Sequence, residues 1–226
     1  MSGIMKTKSK KLIYALVIYT VLFYAAWTLW ELFGAGTVAA RVGNDYIKNL
    51  LCDGVVKNLV WTVPAMILIA RFKDEMFVDL KSMFTNRVNV LKYLPVFLLF
   101  TVYLVGGALI NKGTLALSDS FKVSDLIWIL FVGLTEEMVF RGWLLNATVT
   151  DEKQWAPVIV NSVMFVIIHF PKWIADGQFT ANFTSLGFLG VFVLGAVFGK
   201  TFIKSRNILI PIALHMYWDL LVTLLY

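Results

Sequence analysis

The residues best suited to chemistry are four ionisable side chains in apolar surroundings. The chain has two histidines, His169 and His215, and both lie within strongly apolar stretches, as do the adjacent Glu136 and Glu137. Ionisable groups are costly in hydrocarbon, so membrane proteins keep them where they pair, bind a ligand or react. Carboxylates and imidazoles together can activate water and stabilise developing charge. These four residues are the first candidates for a functional site.

The first motif is the hexamer EEMVFR, which runs from Glu136 to Arg141. Helical residues four apart share a face, so Glu137 is predicted to pair with Arg141, while Glu136 points about 100° away. One carboxylate would then be held and its neighbour left free. A plain ion pair at a helix end, with Glu136 facing solvent, is the alternative that this hexamer alone leaves open.

The second motif is FVIIH, from Phe165 to His169. Asn161 stands eight residues before the histidine on nearly the same helical face, which makes that face polar within an apolar segment. The pattern favours a polar pocket inside the protein. A histidine that serves only packing and hydrogen bonding is the alternative.

The third motif is HMYWD, from His215 to Asp219. Its spacing stacks the two side chains on one helical face, so the carboxylate can orient the imidazole, or both can bind one ion or water. Two polar groups on one membrane helix usually face an interior site. A buried pair that serves only helix packing stays possible at this point.

Two versions of peptide hydrolysis suit these residues. In one, Glu136 helped by His169 is the base, and His215 with Asp219 stabilises the oxyanion or completes the water site. In the other, the same four residues bind a divalent metal such as zinc that activates water; no other cofactor is expected. The sequence does not choose between them. HExxH and GxSxG motifs are absent, which disfavours a zincin or a serine hydrolase.

The elements that must position these residues are membrane helices. Hydrophobic residues make up 59% of the chain and charged residues 15%, outside the range of soluble domains. We predict an all-α transmembrane bundle of about seven helices in a single membrane-embedded unit, since a span needs about 20 apolar residues. Residues 1–122 would form about three of these helices and 123–226 the helices with the motifs. The apolar runs lie near 12–33, 55–72, 91–110, 123–147, 154–170, 184–203 and 207–226.

Charged residues indicate the orientation of the chain in the membrane, and small residues indicate where helices pack closely. The net charge of +6 is interpreted as a topology signal with affinity for anionic lipids, not for nucleic acid. Most basic residues, Lys6 among them, share one side if the N-terminus is cytoplasmic and the C-terminus outside. The first run exceeds a signal-peptide core and is taken as an uncleaved anchor. Gly195 and Gly199 predict a close helix contact.

The wording and order of the three motifs resemble the CAAX protease and bacteriocin-processing (CPBP, or Abi) intramembrane proteases. The agreement is closest in EExxFRG, here Glu136 to Gly142, and the resemblance covers about residues 123–226. It implies that Glu136 activates water with the aid of His169, with Glu137 and Arg141 in supporting positions. The family is commonly labelled as metalloproteases, although a metal-free glutamate mechanism has also been argued for it.

His215 and Asp219 would complete such a site. The last position is often Asn in the family and is Asp in this chain. The extra negative charge would favour a bound cation or a protonated His215, and it puts an oxyanion role for this position in question.

The resemblance implies an intramembrane endopeptidase in a bacterial plasma membrane, acting in peptide maturation, bacteriocin processing or self-immunity. Its expected partners are a peptide or lipidated protein substrate, membrane lipids and a membrane-protein partner, with no nucleic acid. Two alternatives come from other classes. One is a non-catalytic scaffold that regulates a partner protein, and the other is a proton or ion transporter, although no repeated halves are found in the sequence.

Overall fold

The residues that the structure describes form helices joined by turns and loops. The computed structural model describes residues 8–226, so Lys6 lies outside it. No strand occurs in this range, which confirms the all-α prediction. We number the helices α1 Lys10–Arg41, α2 Asp45–Arg71, α3 Ser82–Thr85, α4 Val90–Lys112, α5 125–148, α6 Trp155–Ala175, α7 Phe179–Thr184, α8 Gly187–Ser205 and α9 Leu209–Leu225.

Five helices are long and apolar enough to cross a membrane: α1, α2, α4, α6 and α8. Each predicted apolar run falls largely on a helix, yet the count of seven spans is not confirmed. Helix α9 has 17 residues, a rise of about 25 Å against a hydrocarbon core of about 30 Å. Helix α5 carries Glu136, Glu137 and Arg141 in its middle. Five apolar helices are those of an integral membrane protein.

Helix α2 is longer than its apolar run predicts. It begins at Asp45, where the Asn44 side chain accepts hydrogen bonds from two backbone N–H groups of the first turn. The helix therefore starts before the apolar run near 55–72. The cause is a charged pair within the helix, because Lys57 Nζ lies 2.8 Å from Asp53 Oδ1. Charges satisfied in this way interrupt a hydropathy pattern without ending the helix.

The N-terminal helices and the motif helix α5 share one core. The Phe23 ring meets Trp61 of α2 and Phe140 of α5 edge to face, with centroids 4.7 and 5.9 Å apart. Tyr19 meets Trp143 in the same way at 6.2 Å. Such aromatic contacts add to the burial of large apolar surfaces. Helices α1 and α2 therefore help to fix the position of α5.

Helices α6 and α8 make the most extensive contact in the bundle. A Cβ added to Gly195 would lie 3.1 Å from the Ser162 Cα atom, so glycine allows the two backbones to approach. A Cβ at Gly199 would lie 3.3 Å from the Leu145 side chain. The predicted close helix contact at these glycines is present. Helix α9 packs on α4, α5 and α8, which brings the third motif next to the first.

Candidate active site

The side chain of Glu137 joins two helices in the protein interior. Its Oε1 atom accepts hydrogen bonds of 2.8 Å from Arg141 Nη1 and of 2.8 Å from His215 Nδ1. Arg141 Nη2 donates at 3.0 Å to the Gly195 carbonyl, which adds α8 to the network. Glu137 and Arg141 are fully buried. The predicted Glu137–Arg141 pair is thus present, and it also holds an imidazole 78 residues away along the chain.

Aromatic rings enclose this network. The Arg141 guanidinium carbon lies 4.4 Å from the centroid of Phe165 and 5.3 Å from that of Phe198. Phe198 stacks on the His215 imidazole at 4.9 Å and Phe165 meets it edge-on at 5.8 Å. Buried cations gain from such ring contacts, which also exclude water. The orientation of His215 is therefore fixed by one carboxylate and two rings.

Glu136 has a different environment from its neighbour. It is buried, but its Oε2 atom makes no hydrogen bond to any residue within 8–226 and lies 3.9 Å from His215 Nε2. Buried polar atoms nearly always have partners, so an oxygen without one suggests a place for water or a ligand. The helix changes from α to π geometry at Met138, just after the two glutamates. Such π segments occur frequently at functional sites.

His169 lies at a turn within α6, where its ring is held by the backbone. Its Nδ1 atom is 2.7 Å from the Phe165 carbonyl oxygen. A carbonyl only accepts hydrogen bonds, so Nδ1 carries the hydrogen, and a neutral ring keeps its lone pair at Nε2. The imidazole is thereby set up to accept a proton or a hydrogen bond through Nε2.

Asp219 follows His215 by one helical turn, as the spacing predicts. Its Oδ2 atom lies 3.5 Å from His215 Nε2. The contact between Glu137 and Nδ1 of the same ring is shorter, at 2.8 Å. Glu137, and not Asp219, is therefore the principal orienting partner of this imidazole. Asp219 instead faces the space in front of Nε2.

One cavity of about 530 Å³ brings these groups together, with Glu136, His169, His215 and Asp219 in its wall. Ligand pockets in proteins commonly measure about 300–1,000 Å³. The opposite wall comes from α1 and α2, including Trp27, Trp30, Glu31, Asp53, Lys57 and Trp61.

The predicted supporting residues take different places. Phe165 is buried against both histidine rings, next to the cavity. Arg141 and Glu137 lie behind the cavity wall and do not line it. Asn161 is turned away from the site: its Nδ2 atom donates to the Phe140 carbonyl at 2.9 Å, and the residue lines a groove between α1 and α6. The structure thus brings Phe165 to the histidines and does not bring Asn161.

The side chains do not form a metal site in this structure. No group of three or more His, Cys, Asp or Glu side chains within residues 8–226 is arranged to bind a metal ion. Zinc needs such ligands at about 2.0–2.3 Å. The possible ligand set of Glu136, His169, His215 and Asp219 therefore does not fit a metal here, and no step below passes through one.

Comparison with known proteins gives one match, which covers the part of the chain that contains the three motifs. Residues 120–221 match the family model described as type II CAAX prenyl endopeptidase Rce1-like. This segment belongs to the CPBP family. Neither the curated proteins nor the solved structures give a significant match. The CPBP segment contains all three motifs, and the expected family resemblance is confirmed.

The three motifs do not indicate the cavity residues of α1 and α2. Trp27 Nε1 donates at 3.1 Å to the Ile168 carbonyl, directly before His169. Lys57 is 7% exposed and lines the cavity. A usable signal was present, since Lys57 is a charge within the apolar run near 55–72, the same property that singled out the histidines.

Proposed function

We propose that this protein is an intramembrane endopeptidase in which Glu136, assisted by His169, activates the water that attacks the peptide bond. The observation that carries the proposal is the contrast between the adjacent glutamates. Glu137 is fully buried outside the cavity lining, and its Oε1 atom is held by both Arg141 and His215. Glu136 lines the cavity, and its Oε2 atom has no partner within residues 8–226. A general base needs its lone pairs free and a water within reach.

The reaction would proceed by direct attack of water. A water bound between Glu136 and His169 Nε2 loses a proton to Glu136 as its oxygen forms a bond to the carbonyl carbon. The tetrahedral oxyanion accepts a hydrogen bond from the Nε2–H of His215 in its imidazolium form. Glu136 then passes the proton to the leaving nitrogen as the C–N bond breaks, which gives a carboxylic acid and an amine.

Glu137 and Arg141 would act as positioning residues in this scheme. Neither side chain lines the cavity. Glu137 holds His215 Nδ1 at 2.8 Å and so directs Nε2 towards Glu136 and Asp219. The Asp219 carboxylate can accept the Nε2–H before substrate arrives. Hydrogen-bonded supports of this kind keep a reacting group within the narrow geometry that catalysis needs.

The substrate would be a membrane-bound peptide or lipidated protein. The matching family description names a prenyl endopeptidase, and the tryptophan-lined cavity suits aliphatic peptide side chains. Peptide maturation, bacteriocin processing and self-immunity, a bacterial plasma membrane and a cytoplasmic N-terminus stay predictions. The scaffold and transporter alternatives also stay predictions, and neither of them involves cleavage of a peptide.

The direct test uses purified protein in liposomes with a farnesylated peptide in ¹⁸O-labelled water. We expect mass spectrometry to find one broken peptide bond near the C-terminus and one ¹⁸O atom in the new carboxyl group. His169→Gln should lower the rate about 100-fold or more, in the range of general acid–base effects. Absence of cleavage by the folded wild-type protein would favour the scaffold.

A further inference from the structure

Lys57 is an unusual member of the cavity wall. Its side chain is almost fully buried, and Asp53 is its only carboxylate partner within 4.0 Å in residues 8–226, at 2.8 Å. The pair lines the same cavity as Glu136, His169, His215 and Asp219. Buried ion pairs often add nothing to stability compared with apolar side chains of similar size. A cation here is therefore not explained by folding alone.

The ammonium group is held in a rigid aromatic corner. Lys57 Nζ lies 4.9 Å from the Trp27 ring and 5.6 Å from the Trp61 ring. Trp27 is fixed by its bond to the Ile168 carbonyl, and Trp61 is 1% exposed. Ring faces stabilise a cation without using its hydrogen-bond donors. Because an ammonium has three donors and Asp53 needs one, Lys57 keeps capacity for a second anion.

The cation and the proposed base line the same cavity without pairing with each other. Lys57 makes no ion pair within 4.0 Å with Glu136 or Asp219 among the described residues, although both line the same space. A ligand can therefore lie between them. One extended peptide residue spans about 3.3–3.6 Å, so a segment of a few residues can contact two groups that are more than 4.0 Å apart.

We propose that Lys57 is a carboxylate-binding subsite that receives the free C-terminal carboxylate of the peptide whose bond is broken beside Glu136. The inference rests on the proposed function and deepens it. The ammonium would form a charge-assisted hydrogen bond to the carboxylate. Aliphatic side chains of the released segment would pack on Trp27, Trp30 and Trp61. The subsite would set the distance between the chain end and the broken bond, which makes the protein cut a few residues before a C-terminus.

The other charges of the cavity do not supply this function equally well. Lys48 is paired with Asp45 and Lys172 with Asp176, and the lysine side chains are 32% and 58% exposed. Water screens ion pairs at such exposed positions. Glu31 and Asp53 bring negative charge to the same wall, so the cavity does not attract anions in general. Binding depends on direct contact with the Lys57 ammonium.

The test compares two peptides that differ only at the end of the chain, one with a free carboxylate and one with a carboxamide. Wild-type protein in liposomes should prefer the carboxylate by about 10–100-fold in kcat/KM, the range for a hydrogen bond to a charged group. In Lys57→Met this ratio should fall to about 1. Lys200→Met is the matched control, because Lys200 also lies over a tryptophan, Trp155, but outside the cavity. It should keep the wild-type ratio.

The outcomes separate the two proposals. Glu136-dependent cleavage with no wild-type preference for the carboxylate overturns the subsite and leaves the protease intact. Absence of cleavage of both peptides overturns the proposed function itself. A preference that survives Lys57→Met also overturns the subsite. If that variant does not fold, Lys57→Arg and Asp53→Asn keep the positive charge and should keep the preference, and loss of the preference in both folded variants contradicts the proposal.

Discussion

The two walls of the cavity are built in different ways. The wall from the CPBP segment, here called the catalytic wall, contains Glu136, His169, His215 and Asp219. The wall from α1 and α2, the aromatic wall, contains Trp27, Trp30, Lys57 and Trp61. The first is backed by a charged network that joins three helices, and the second by tryptophan rings around one ion pair within a single helix.

This difference assigns the reaction to the catalytic wall and the choice of substrate to the aromatic wall. The Oε1 atom of Glu137 holds both Arg141 and His215, so the order of the catalytic wall depends on one buried carboxylate. The Lys57–Asp53 pair is local, and its loss disturbs one helix turn. Damage to the catalytic network should therefore unfold the bundle or stop the reaction. Damage to the aromatic wall should change which peptides are cut.

The largest effect on the fold is expected from Arg141→Met. Removing the guanidinium takes away one of the two partners of the buried Glu137 carboxylate, and breaking a buried ion pair costs about 3–5 kcal/mol. The melting temperature in detergent should fall by many degrees. Arg206→Met is the control, because its pair with Asp151 is exposed and worth about 0–1 kcal/mol. Similar shifts in both variants would mean that the buried network is not what holds the catalytic wall.

An intermediate effect is expected from Gly195→Leu. The added side chain would meet Ser162 of α6, where even a Cβ comes within 3.1 Å, and overpacking costs about 1–3 kcal/mol. It would also move the carbonyl that accepts from Arg141. Gly190→Leu on the same helix is the control, since a Cβ there meets nothing within 4 Å. Thermal unfolding should show a lower melting temperature for Gly195→Leu only.

The sequence predicts the local parts of this arrangement and misses the parts made by helix packing. The Glu137–Arg141 pair follows from helical spacing alone. The Glu137–His215 contact does not, because it depends on how α5 and α9 rotate against each other. For the same reason the motifs indicate the catalytic wall but not the Trp27 ring that faces it. Hydropathy finds the apolar runs, and it fails at the start of α2 because the Asp53–Lys57 pair looks like an interruption.

The smallest effect is expected from Asp219→Asn, which restores the residue more usual in the CPBP family. Asp219 lies 3.5 Å from His215 Nε2, while Glu137 holds the other ring nitrogen. Replacing the Asp219 carboxylate by an amide at this distance should change the cleavage rate by less than about tenfold, which is the scale of one net hydrogen bond. Rates measured with the farnesylated peptide check this. A loss above about 100-fold would assign Asp219 an essential part in the chemistry.

The central claim, that adjacent glutamates divide chemistry from support, is tested most directly by Glu136→Gln and Glu137→Gln in one experiment that measures cleavage rate and melting temperature together. Glu136→Gln should lose about 10²–10⁴-fold in rate and keep or raise the melting temperature, since it removes a general base and an unpartnered buried charge. Glu137→Gln should lower the melting temperature, because Arg141 loses its counter-charge. A Glu136→Gln protein that cleaves at the wild-type rate, or that unfolds as readily as Glu137→Gln, would contradict the account.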